Sequence, residues 1–194
     1  MMGRDVRHRL LSVQVALAEP LLVEGYRTVL SGIGKRPVSG PVAVRTLGLD
    51  GDEQADPTVH GGRSKAVYAY PVEHYAFWRE EQAKLGRPPE SLQHGTLGEN
   101  LTIEGLLETE VYVGDVLRFP DCELRVTEPR KPCFKFVAVM GDRSAAKKMV
   151  RTGHCGFYLA VDSPGTIEAG QTFEVRPGRR ETPLMSLFPK GNWR

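Results

Sequence analysis

The chain has 194 residues, enough for one well-buried domain, with 40% hydrophobic and 26% charged residues and a formal net charge of +2. Its lysines and arginines are scattered rather than gathered into the patch of a nucleic-acid-binding domain, and no apolar run approaches the roughly 20 residues of a membrane span. The N-terminal stretch lacks the small-residue cleavage site of a secretory signal, so a cytoplasmic protein with no membrane or nucleic-acid partner is expected.

The first third alternates polar and apolar residues in short runs. Leu11 to Ala16, Pro41 to Thr46 and Lys65 to Tyr70 read as half-buried strands, separated by glycine-marked turns. One helix is predicted from Pro71 to about Leu85. Proline suits its first turn, Val72, Tyr75 and Trp78 share a side, and Gly86 with Pro88 and Pro89 ends it. A loop is expected to about residue 100. Strands follow at Glu110–Val113, Asp115–Phe119 and Cys122–Thr127, then a short basic helix over 142–151 capped by Asp142 or Ser144. Gly156–Val161 and Thr172–Val175 read as the last strands. Many short strands with few helices predict a mainly β fold, a closed or nearly closed barrel with peripheral helices. Residues 1–176 form the predicted barrel domain. Residues 177–194 lose periodicity and are read as an extension.

Chemistry concentrates in Arg130-Lys-Pro-Cys-Phe-Lys135. Nearby cations favour the thiolate, which is both a nucleophile and a soft metal ligand, so Cys133 is open to three readings: metal ligand, nucleophile, or ordinary buried cysteine. Cys122 and Cys155 sit in strand patterns without such neighbours and are read as core residues. His60-Gly61-Gly62-Arg63 could hold an anion on converging backbone N–H groups, although a plain Gly-Gly turn is the simpler reading. Lys35 lies in a glycine-containing segment that does not match a nucleotide-binding loop. The acidic stretch Gly48–Gln54 lacks calcium-loop spacing, and Asn100 alone reads as a turn residue. The histidines lack zinc spacing, no GxSxG elbow occurs, and three cysteines cannot hold a four-cysteine cluster.

Taken in order, GLDGDEQAD (48–56), VHGG (59–62), AVYAYPVEHYAFW (66–78), GENLT (98–102), VYVGD (111–115) and EPRKPCFK (128–135) closely resemble the MOSC domain family, named for the C-terminal domain of molybdenum cofactor sulfurase. The likeness is to its small stand-alone bacterial YiiM type and spans residues 10–175. It implies a MOSC-type β-barrel and a molybdopterin-type molybdenum cofactor ligated by Cys133. Lys35 matches the family's phosphate-gripping lysine, Asn100 the asparagine of its GEN motif, and His60, Gly61 and Gly62 its HGG loop. Arg130 and Lys135 flank the cysteine as basic residues do in the family, and Arg63 is expected to join Lys35 in an anion clamp.

The implied activity is two-electron reduction of N-hydroxylated nucleobases or similar compounds, with electrons from a separate reductase. Sulfur transfer through a Cys133 persulfide and non-catalytic carriage of the cofactor are the alternatives. Family members usually continue into a three-helix domain, which the tail after 176 cannot supply. Either that domain is dispensable, or a partner or a second subunit, as in a homodimer, covers the same surface.

Overall fold

A computed structural model describes residues 8–23, 27–55 and 61–189. Its elements in chain order are β1 (His8–Val15), β2 (Glu19–Val23), β3 (Arg27–Ser31), β4 (Arg36–Pro37), β5 (Val42–Arg45), β6 (Gly48–Leu49), β7 (Val67–Pro71), α1 (Tyr75–Ala83) and β8 (Leu101–Glu104). They continue with β9 (Val116–Arg118), β10 (Glu123–Pro129), α2 (Phe134–Met140), α3 (Ala145–Thr152), β11 (Phe157–Ser163), β12 (Gly165–Ile167) and β13 (Thr172–Arg176). Seven strands pair in the order β13-β9-β10-β11-β7-β8-β1, and β1 pairs back with β13 to close a barrel. All these pairings are antiparallel except β7 with β8, where Ala69 lies opposite Leu101. Closure removes the exposed edges that an open sheet would present.

Two hydrophobic clusters result. The barrel interior holds residues such as Leu10, Val67, Leu117, Leu124, Phe157 and Leu159, all fully buried. A second cluster packs α1, α2 and α3 onto the outside of β7 and β11, centred on Tyr70, Tyr75, Trp78, Phe136 and Met149. Each large side chain here contributes about 1.5–3 kcal/mol by leaving water. The residues after 176 join both clusters: Leu184 is buried against the barrel and Phe188 against the helices.

Several elements differ from the sequence expectation. β8 lies in a stretch, 101–109, to which the sequence assigns no element. Leu101, Thr102 and Ile103 are all buried, so the strand lacks the alternation that marks a half-buried one. The expected strand over 110–113 is instead a turn, where Asp115 Oδ2 accepts the Tyr112 N–H at 3.1 Å. The β2–β3 hairpin and α2 were not predicted. Seven residues with Val137 and two phenylalanines carry little helical signal, and only Phe136 and Met140 of α2, four apart, are buried.

Candidate functional site

β3, β7, β11, the residues just before β8 and just after β10, and the N-terminus of α2 surround a solvent-open cleft of about 640 Å³. Lys35, Asn100, Arg130, Cys133 and Lys135, drawn from sequence positions up to 100 apart, all line it. It also takes in Asp52, from the acidic stretch 48–54, together with Lys65, Tyr68 and Tyr158, which the sequence did not single out for a site.

One wall is built on Asp52. Its carboxylate pairs with the Lys35 ammonium, and both side chains are nearly buried, at 5% and 8% exposed. Asp52 Oδ1 also accepts the Ala16 N–H at 2.9 Å, and Oδ2 accepts Asn100 Nδ2 at 2.9 Å. Asn100 spends its remaining groups on the barrel: Nδ2 donates to the Gln14 carbonyl at 3.2 Å and Oδ1 accepts the Tyr68 N–H at 3.0 Å. Burial pushes the Lys35 pKa down, and the contact with Asp52 opposes that shift. Gly95, with φ +91°, stands behind this lysine; a Cβ there would lie 2.5 Å from the Lys35 carbonyl oxygen.

The other wall is built on Arg130, at the end of the segment that carries Cys133. Its residue is 4% exposed, and its guanidinium lies over the Tyr68 ring at 5.2 Å and the Phe136 ring at 4.8 Å. Its backbone N–H donates to the Gly156 carbonyl at 3.3 Å. Gly156 has φ +62°, and a Cβ there would lie 2.4 Å from the Ala69 carbonyl oxygen, so only glycine lets β11 approach so closely. Arg130 Nη1 is buried without an acceptor, and no acidic side chain forms an ion pair with this arginine among the described residues. Desolvation works against its charge, but the facing Tyr68, Cys133 and Tyr158 outweigh it and raise its pKa.

Cys133 precedes the first turn of α2 and is partly exposed in the cleft. The other two cysteines are buried, at 2% and 0% exposed; burial pushes the Cys122 thiol up to about 12 and that of Cys155 well above its ordinary range. Lys135 donates to the Leu30 carbonyl at 3.0 Å, holding the β2–β3 hairpin against the cleft. Arg63 is exposed and does not line the cleft; the cation two residues on, Lys65, does. Gly61 and Gly62 also lie outside the lining, with the Gly62 N–H donated to Gln54 Oε1 at 3.0 Å. His60 lies outside the described residues. No sequence signal marks Lys65 or Tyr158. Both sit on strands or turns where only the barrel's closure decides which side faces the cleft.

Comparison with known proteins gives this cleft a context. The model of the MOSC domain matches residues 56–174. The chain belongs to the MOSC domain family. It is 38% identical to YflK of Bacillus subtilis over 89% of this chain and 75% of that protein. It is also 38% identical to YiiM of Escherichia coli, over 75% of this chain and 63% of that protein. A protein named "Reductase" from Gibberella moniliformis is 35% identical, but the match spans only 26% of its length. Among solved structures, YiiM of Geobacillus stearothermophilus aligns with a TM-score of 0.67 at 34% identity, covering 88% of this chain and 75% of that one. YiiM of Escherichia coli aligns at 0.72 and 27% identity, covering 93% and 75%. The MOSC barrel is thus shared by chains longer than this one. The helices packed outside β7 and β11 supply the wall that carries its cysteine.

Proposed function

We propose that this MOSC protein holds a molybdopterin-type molybdenum cofactor in the cleft, with Cys133 as the protein ligand to the metal. In this reading it reduces N-hydroxylated nucleobases or similar compounds with electrons from a separate reductase. The observation that carries the proposal is the cleft itself: a partly exposed thiol facing four cations, Lys35, Lys65, Arg130 and Lys135. Such a cofactor presents a phosphate at one end and sulfur-bound molybdenum at the other, and so requires cations together with a soft ligand. The donor set fits. The buried, unpaired Nη1 of Arg130 is a second sign that an electron-rich group belongs in the cleft.

When bound, the cofactor supplies the two-electron redox chemistry, and the chain supplies binding, orientation and partial exclusion of water. Lys35, fixed by Asp52, and Lys65 offer N–H groups to the phosphate; Arg130 provides positive charge behind the thiol. The clamp is therefore assigned to Lys35 and Lys65, with Arg63 left outside it. The "Reductase" relative supports the oxidoreductase class by its name alone. The test is turnover. Molybdenum-loaded protein with a reductase and an N-hydroxylated purine is expected to yield the parent purine, one per two electrons consumed. No parent purine from fully loaded protein would refute the assignment.

A further inference from the structure

Three tyrosines meet at the Cys133 wall, and their hydroxyl protons are used differently. Tyr68 donates to the Cys155 carbonyl at 2.8 Å, and Tyr70 donates to the His154 carbonyl at 3.0 Å. The Tyr158 hydroxyl makes no such hydrogen bond among the described residues, although it lies in the cleft near Arg130. Tyr158 lines the cleft with Cys133 and Arg130, its ring 5.3 Å from that of Tyr68 and covered by the Lys65 ammonium at 5.8 Å. Arg130 Nη1 is the second donor there without an acceptor. Both donors are held rigidly. The guanidinium is fixed between two rings, and the Tyr158 backbone is fixed by pairing of β11 with β7 at Tyr158 and Tyr68.

We propose that Arg130 Nη1 and the Tyr158 hydroxyl form a subsite for one electron-rich oxygen, that of the substrate's N–O group. This rests on the reading of the protein as a reductase of N-hydroxylated compounds. Their number and character carry the choice of ligand. One cation and one neutral donor suit a single oxygen that is neutral in the substrate and gains charge as its bond to nitrogen breaks, whereas a phosphate calls for several cations. The reaction balances as R₂N–OH plus two electrons and two protons giving R₂NH and water. The electrons come from the external reductase and the protons from solvent; the N–O bond breaks and an N–H bond forms. Donors aimed at the departing oxygen favour that cleavage and at the same time distinguish the N-hydroxylated compound from its reduced product. Arg130 and Tyr158 are then substrate-contacting residues.

The experiment compares binding of an N-hydroxylated purine and of its parent purine to cofactor-loaded wild type, Tyr158→Phe and Arg130→Lys, with molybdenum and pterin content and melting temperature recorded for each. Wild type is expected to prefer the N-hydroxylated compound. Tyr158→Phe should lower that preference about two- to tenfold, and turnover about a hundredfold, with cofactor content and melting unchanged. Arg130→Lys, which keeps the charge and loses the fork, should lower both as well. An unchanged preference in Tyr158→Phe overturns the subsite, as does loss of molybdenum and pterin from that variant, which would assign the hydroxyl to the cofactor. No preference in the wild type overturns it too. A wild type that prefers the N-hydroxylated purine yet never reduces it would refute the reductase reading while leaving the subsite standing.

Discussion

The two walls of the cleft treat polar groups in opposite ways. On the Asp52 wall both carboxylate oxygens are engaged, with Asp52 bonded to Lys35, Ala16 and Asn100, and the Asn100 amide is satisfied at both ends. On the Arg130 wall a buried guanidinium keeps an N–H without an acceptor, beside a thiol and a phenol open to the cleft. Buried polar groups are normally paired, so Asp52 and Asn100 read as the frame that holds Lys35, and the second wall as a place kept for something else. Asn100, matched to a cofactor-binding asparagine by its motif, stands in the first group. Its amide ties β1, β7 and β8 to Asp52 and has no hydrogen left for a ligand.

The largest expected effect falls on the open wall. Cys133→Ser replaces a soft ligand by a hard, poorly ionised one and should abolish turnover without shifting the melting temperature. Cys122→Ser and Cys155→Ser, which bury a hydroxyl, should instead keep turnover and cost about 1–3 kcal/mol in chemical denaturation. Next comes the closed wall. Asp52→Ala leaves Lys35 buried without its partner and should cost about 3–5 kcal/mol of stability, measured by urea unfolding. The converse holds at Arg130. Arg130→Met removes a buried guanidinium that no carboxylate pairs and should cost clearly less stability than Asp52→Ala, while losing substrate preference. A loss as large as that of Asp52→Ala would erase the distinction between the walls.

Smaller effects sharpen the comparison. Behind the open wall His154 stacks on His74 at 3.9 Å, with its Nδ1 buried and unpaired, and burial with the neighbouring His74 lowers its pKa to about 4. The folded state thus disfavours the proton that the unfolded chain binds below about 6.5. This part of stability is complete above pH 6.5 and is lost as pH falls toward 4. His154→Phe should flatten the fall in melting temperature across that window. Least of all, Arg63→Ala should change cofactor content by nothing measurable, whereas Lys65→Ala should lower it.

Much of this was legible in the sequence, for reasons that differ by residue. Strands β5 and β10 alternate because one face is buried and the other is not, whereas β7 is buried along its whole length and was legible from its run of apolar and aromatic residues. The thiol was visible because its cations are adjacent in the chain. The closed wall was not, because Lys35, Asp52 and Asn100 meet only through barrel pairing, and nothing in the spacing of Asp52 shows that it holds the other two. Arg63 and Lys65 illustrate the same limit. Two cations two positions apart stand at the two ends of a single 3-10 turn, and only the second lines the cleft.

The measurement that bears most directly on the central claim is molybdenum and pterin content after purification from a molybdenum-replete host. The account predicts close to one of each per wild-type chain, with molybdenum lost from Cys133→Ser. Wild type free of both, or Cys133→Ser retaining molybdenum in full, would contradict it.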